Sequence, residues 1–248
     1  MINLENVHKT FGSNRVLRGI DLDVPRGSSL VVIGGSGTGK SVLLKCILGL
    51  IQPDEGRIRV DGQDLGTGDR DAFLARFGML FQGGALFDSM KIWENVAFRL
   101  LRGADKRPRA EARAIAIEKL ARVGLAERVA DLYPAEISGG MQKRVGLARA
   151  IATNPEIVFF DEPTAGLDPI MSGVINHLIR ELVTEMGSTA ITITHDMTSV
   201  RTIADNVAML HDGHVQWHGP VSRLDHSGDA AVDQFINARP TGPIATIR

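Results

Sequence analysis

The segment Gly34-Gly35-Ser36-Gly37-Thr38-Gly39-Lys40-Ser41 fits the pattern GxxxxGK[ST], and those residue types imply a chemistry. Glycines let successive backbone N–H groups turn inward as an anion nest, and a helix starting behind them adds its positive dipole end. Lys40 can reach the β- and γ-phosphates of a nucleotide, and Ser41 offers a hydroxyl to Mg²⁺. A second group closes the apolar run Ile157–Phe160, which ends in Asp161 and Glu162. A strand-end aspartate beside a phosphate-binding loop suits Mg²⁺, usually through water. Glu162, one residue beyond, is placed to orient or deprotonate an attacking water. ATP and Mg²⁺ are the cofactors this pairing implies.

A third group is Ile137-Ser138-Gly139-Gly140-Met141-Gln142-Lys143-Arg144. Ser138 reads as the N-cap of a helix whose first turn contains two glycines, leaving N–H groups and a hydroxyl facing outward. That is a second anion-binding helix terminus in a chain with a single phosphate loop. Alone, Ser-Gly-Gly is a common helix-start turn. Its meaning comes from its company.

These groups need elements to position them. Short β-rich runs come first, at Ile2–Lys9, Val16–Val24 and Leu30–Ile33, followed by a helical pattern over Lys40–Leu50. Asp61-Gly62 after Arg57–Val60 predicts a hairpin turn, and Met79–Gln82 a strand. Helical patterns over Ile92–Leu101, Pro108–Val123 and Gly139–Ala152 then replace the strand signal, an inserted helical subdomain of about residues 88–153. Ile157–Phe160 reads as a central parallel strand. Asp168 caps a helix over Pro169–Glu185 with proline at its first position. Strand Thr189–Thr194, helix Met197–Ala204, a hairpin at Asp212-Gly213 and a short helix over Ala230–Asn237 complete the pattern. The class is α/β, a mostly parallel sheet with ligand at its C-terminal strand ends.

In this order, the phosphate loop, Gln82, Ser138-Gly139-Gly140, Asp161-Glu162, Ala165-Gly166-Leu167-Asp168 and Thr194-His195-Asp196 closely resemble the ATP-binding cassette (ABC) transporter ATPase. The resemblance covers about residues 1–220 and leaves 221–248 as a C-terminal helix and extended tail. It implies a P-loop NTPase with a RecA-like core, an N-terminal antiparallel β-subdomain and an inserted α-helical subdomain. It also assigns roles. Phe11 stands where an aromatic stacks on adenine; tyrosine is more usual, but stacking needs only a π face. Gly34, Gly35, Ser36, Gly37, Thr38, Gly39, Lys40, Ser41 and Val42 surround the phosphates. Ser41, Gln82 and Asp161 serve Mg²⁺, while Glu162, His195 and Gln82 serve hydrolysis. Ser138, Gly139 and Gly140 match the signature that binds the γ-phosphate of ATP held by a second copy of the chain, and Asp168 matches a dimer-interface aspartate. Two positions depart from the family: Met141 replaces the usual glutamine and Val42 a common threonine. Neither removes a catalytic donor.

A narrower resemblance rests on Gly83-Gly84-Ala85-Leu86-Phe87-Asp88-Ser89-Met90, on Asp168-Pro169-Ile170-Met171 and on Met141. These strings look like the ATPase of Mla-type, MCE-associated phospholipid transporters. That likeness implies permease partners, an MCE-domain protein, a small STAS-domain protein and a peripheral place on the cytoplasmic face of a bacterial inner membrane. Other readings share the core motifs: a solute-importer ATPase, a soluble assembly ATPase resembling that of iron–sulfur cluster assembly, or a clamp on DNA or ribosomes. Residues 28 Lys+Arg against 29 Asp+Glu give a net charge of -1, which argues against nucleic acid as partner.

Composition bounds the rest. With 248 residues, 44% hydrophobic and 23% charged, the chain can bury a substantial core. No apolar run reaches the ~18–20 residues of a membrane span, and Met1-Ile2-Asn3-Leu4-Glu5 has no leader character. Phe81, Leu86, Phe87, Met90 and Trp93 crowd one loop and could floor a groove for a partner helix, or pack as ordinary core. Arg99, Arg102, Lys106, Arg107, Arg109 and Arg113 could face anionic lipid, although a solvated helix face is the simpler reading. His211, His214 and His218 read as hairpin surface rather than metal ligands, and Cys46 as core. Two tail prolines predict an extended path, with Ile244 and Ile247 as apolar anchors on a neighbouring subunit, or else a frayed terminus.

Overall fold

The computed structural model describes residues 1–65, 70–102 and 106–245. It divides into two units: Met1–Arg70 with Ile191–Arg248, and Asp71–Ala190.

In the first unit, β1 (Ile2–Phe11) and β2 (Asn14–Val24) form an antiparallel hairpin, with β4 (Glu55–Val60) and β5 (Gln63–Asp64) extending the sheet in the order β2-β1-β4-β5. Ile2 lies opposite Val24 and Val60, and Leu4 opposite Leu22 and Ile58. All six are buried, so alternation delivers one apolar face. The register shifts between Leu4 and Val7, where Asn6 takes a φ of 48° and its N–H donates to Asp21. The Asp61-Gly62 turn carries positive φ at both residues, 52° and 78°, as a tight two-residue hairpin requires.

The same unit contains β3 (Ser29–Ile33), buried throughout and parallel to β9 (Asn206–His211), which pairs antiparallel with β10 (His214–Pro220). Helix α1 (Lys40–Ile47) is shorter than its apolar pattern. Gly49 at φ 65° turns the chain, its N–H donating to Cys46 O and that of Leu50 to Lys45 O, a Schellman closure. Cys46 is fully buried, and burial pushes its thiol up to about 11. Helices α8 (Met197–Ile203) and α9 (Ala230–Ile236) start on aspartate caps, Asp196 and Asp229.

The tail makes one contact that the sequence did not suggest. Gln234 of α9 is 5% exposed, accepts from the Ile244 N–H (2.7 Å) and donates to the Ile244 carbonyl (3.1 Å). Its amide holds the chain end much as a strand neighbour would, so Ile244 is anchored on its own helix by backbone hydrogen bonds. Ile247 lies outside the described residues.

In the second unit, β6 (Phe77–Leu80) runs parallel to β7 (Ile157–Asp161), with Phe77 opposite Ile157 and Leu80 opposite Phe160. The strand lies two residues before its expected place and includes Gly78, a residue type that usually weakens a strand. A Cβ there would collide with the Ala150 carbonyl. Between β6 and β7 come α3 (Ile92–Val96), α4 (Phe98–Arg102), α5 (Arg109–Arg122) and α6 (Gly139–Ala150); α7 (Pro169–Met186) follows β7. A short α2 (Arg70–Ala75) precedes β6, with no counterpart in the sequence reading. β8 (Thr189–Ile193), buried throughout, returns the chain to the first unit. Among the described residues no helix is long and apolar enough to cross a membrane.

Gly78→Ala tests this packing. Overpacking of this kind costs about 1–3 kcal/mol, so urea unfolding of the variant should show a lowered midpoint with an unchanged slope.

Candidate active site

The first unit carries the phosphate loop, directly after β3. Gly34 (φ 144°), Gly37 (78°) and Gly39 (98°) all occupy backbone regions that side chains resist. A Cβ on Gly34 would run into the Leu210 carbonyl, and one on Gly39 would sit 3.0 Å from the Val16 carbonyl oxygen. The loop is therefore wedged against β2 and β9. Gly35 is half-buried, and Ser36 and Gly37 are exposed. Thr38 Oγ1 donates to the Gly35 carbonyl at 3.0 Å, bracing the turn. Lys40 Nζ donates to the Gly34 and Gly35 carbonyls, 2.7 Å each, which draws its ammonium across the loop. Ser41 is exposed on the first turn of α1, with Val42 half-buried beside it. Phe11, 47% exposed at the end of β1, presents an open ring face with Lys9 Nζ 5.5 Å from its centroid. Such a site offers amide donors, a cation and a stacking surface, the complement of a nucleotide triphosphate.

His195 leaves the end of β8 in the same unit. Thr194 N–H donates to the Val32 carbonyl, which ties this strand end to β3 (3.4 Å). Thr194 Oγ1 in turn accepts from the Asp196 N–H, and Asp196 accepts from the Thr198 and Ser199 N–H groups and the Ser199 hydroxyl. Both neighbours are thus fixed in place, and His195 is exposed between them.

The second unit assembles the remaining residues around α6. Ser138 is its N-cap, accepting from the Met141 N–H at 3.3 Å. Gly139 has open space where a Cβ would stand, and Gly140 faces Met171 and Leu167. Asp161 ends β7 and Glu162 follows it, both half-buried, and Glu162 adopts φ 47°. That left-handed conformation costs a non-glycine residue about 1–2 kcal/mol, and an Ala165 N–H to Glu162 carbonyl bond (3.2 Å) closes the turn behind it. Asp168 caps α7 through the Ile170 and Met171 N–H groups, 3.0 Å each. Gln82 is exposed, two residues past β6, in a turn closed by a Gly84 N–H to Phe81 carbonyl bond.

Three organising residues escape sequence inspection. Asn95, fully buried, accepts from the Phe87 N–H and donates to the carbonyls of Phe87, Met90 and Lys91, shaping the segment after Gln82. Arg149 donates to the Gly84 and Ala85 carbonyls (2.7 and 2.8 Å), and burial pulls its pKa below the ordinary arginine value. Lys143, 6% exposed, donates to the Pro163 (3.2 Å) and Ala165 carbonyls. A basic residue amid the apolar run Val145–Ile151 was the one available signal, for Arg149.

The other features noted in the sequence can be placed in the fold. Trp93 is buried, whereas Phe81 and Phe87 are exposed and Phe87 stacks on Phe98 with centroids 4.6 Å apart. The basic stretch is largely engaged internally. Arg99 donates to the Leu74 and Phe77 carbonyls, Arg107 pairs with Glu111, Arg109 with Glu94 and Arg113 with Asp131. His214 and His218 are exposed, and among the described residues no group of three His, Cys, Asp or Glu could hold a metal.

Comparison with known proteins agrees with this layout. The family model described as ABC transporter matches residues 17–165, so the chain belongs to the ATP-binding subunits of that family and is an ATPase. More particularly, it is 42% identical over 246 residues to a probable ribonucleotide transport ATP-binding protein, Mkl, of Mycobacterium leprae (strain TN), covering 98% of this chain and 70% of that one. It is 39% identical over 247 residues to the intermembrane phospholipid transport system ATP-binding protein MlaF of Escherichia coli (strain K12), covering 98% and 91%. A dimeric post-hydrolysis structure of the cassette MJ0796 with ADP and Pi superposes at TM-score 0.80 and 33% identity, over 89% of this chain and 99% of that one. The α/β fold is that of the P-loop ABC cassette.

Gly34→Ala should displace the phosphate loop from Leu210. We expect titration with a fluorescent ATP analogue to show affinity weakened tenfold or more, about 1.4 kcal/mol.

Proposed function

We propose that the chain is the ATP-hydrolysing subunit of a transporter that moves phospholipid between inner and outer membranes. Its end-to-end match to MlaF, over 98% of one chain and 91% of the other, carries this reading. On it, Phe11 stacks on adenine, and the N–H groups of residues 34–42 with Lys40 hold the phosphates. Ser41, Asp161 and Gln82 supply oxygen donors of the hard kind that Mg²⁺ prefers. Bound there, Mg²⁺ would neutralise phosphate charge. Glu162 takes a proton from the attacking water, Gln82 orients that water, and His195 holds the γ-phosphate.

Ser138, Gly139 and Gly140 then serve the nucleotide of a second copy, with Asp168 beside that interface, so ATP closes a two-fold dimer. Membrane attachment falls to permease subunits. The complex would sit peripherally on the cytoplasmic face of a bacterial inner membrane, with an MCE-domain protein and a small STAS-domain protein as further partners.

A solute-importer reading is favoured by other relatives: Mkl, named for ribonucleotide transport, and the arginine transport ATP-binding protein ArgV of Corynebacterium glutamicum at 38% identity. Purification of the membrane complex separates them. Phospholipid extracted with a polytopic partner supports the first; a substrate-binding protein with no bound lipid supports the second.

Glu162→Gln should retain ATP binding, lose turnover by ~10²-fold or more, and elute as a dimer with ATP. Adding Ser138→Arg should return that variant to monomer while each subunit still binds nucleotide.

A further inference from the structure

Lys143 has no part in the assignments above, yet it is one of the few buried charges in the described chain. It projects from α6, five residues past the signature serine, and is 6% exposed. A lysine so placed must find acceptors, because an unpaired ammonium away from water is strongly disfavoured. Its acceptors are specific. They are the carbonyls of Pro163 and Ala165, the backbone on either side of Thr164, immediately after Glu162. Those carbonyls belong to the turn that the Ala165 N–H closes onto the Glu162 carbonyl, the turn that holds Glu162 at φ 47°.

We propose that Lys143 is a positioning residue for hydrolysis: its ammonium clamps the turn behind Glu162 and so ties the reach of that carboxylate to the seating of the signature helix. Glu162 follows a buried strand in a backbone conformation that a glutamate leaves readily once the turn relaxes. Two charge-assisted bonds from one rigid helix oppose that relaxation. The same helix begins at Ser138, so a displacement of α6 is passed to the turn through Lys143. The ammonium has a second effect on the carboxylate. Its charge acts on Glu162 electrostatically, the attraction that partly offsets the lowering of the lysine pKa by burial. The helix thus carries both a mechanical and an electrostatic connection to the group that handles water. Arg149, two turns further along, makes a parallel connection to the carbonyls after Gln82.

This inference rests on Glu162 as the hydrolytic base, and the test separates the two. Lys143→Met keeps the length and loses the donors; Lys143→Arg keeps the charge. ATPase rates of the full chain should show kcat reduced about 10–10²-fold in Lys143→Met, with KM for ATP within threefold, and most of the rate restored in Lys143→Arg. Combined with Glu162→Gln, Lys143→Met should still give the ATP-dependent dimer on size exclusion, because nucleotide binding and the signature face are intact. If Lys143→Met does not fold, Lys143→Gln, which keeps one donor, should give an intermediate kcat and the same dimer. An unchanged kcat in the folded variant overturns the proposal, and so does loss of the dimer, which would place the lysine in shaping the signature. A fully active Glu162→Gln would instead remove the reading beneath it.

Discussion

A strand buried on both faces has to leave the interior abruptly, within one or two residues, and this constraint governs the chain's chemistry. β3, β6, β7 and β8 each end beside polar residues: the phosphate loop, Gln82, Asp161-Glu162 and Thr194-His195-Asp196. A sharp exit demands backbone angles that side chains resist. Glycine supplies them at Gly34 and Gly83, but at Glu162 the chain keeps a carboxylate in the left-handed region. On the proposed reading a side chain is needed there, and neighbouring bonds must hold what the residue itself disfavours.

Different devices hold different exits. The phosphate loop is held sterically, by absent side chains that let it press on Leu210 and Val16. The His195 segment is held by a local hydroxyl–carboxylate chain in which Asp196 also caps α8. In the second unit the holding groups are cations on α6, donating to carbonyls that no strand or helix satisfies. A helix suits this task because it is stiff and its side chains lie at fixed spacings.

The sequence shows some of these devices and conceals others for a physical reason. The phosphate loop, the strand-end acids, Ser138 as N-cap and Asp168 as N-cap are local: every group involved lies within a few residues. Their types and order could be read directly. Gly78 is not legible in the same way, because what its missing side chain makes room for is the Ala150 carbonyl, far along the chain. Lys143 and Arg149 are similar, with acceptors 20 and 65 residues away. The tail followed the same rule. Its prolines suggest an extended path, but the contact of Ile244 with the buried amide of Gln234 could not be read from them.

The single cysteine, Cys46, has a practical consequence. With its thiol buried in α1 and its pKa up at about 11, almost none is thiolate at neutral pH. Thiol-directed reagents therefore find little thiolate in the helix behind the phosphate loop. The same inertness makes the native chain its own labelling background. A cysteine introduced at an open surface position, such as Ile170 at 80% exposure, becomes the one reactive sulfur to carry a fluorophore or spin label.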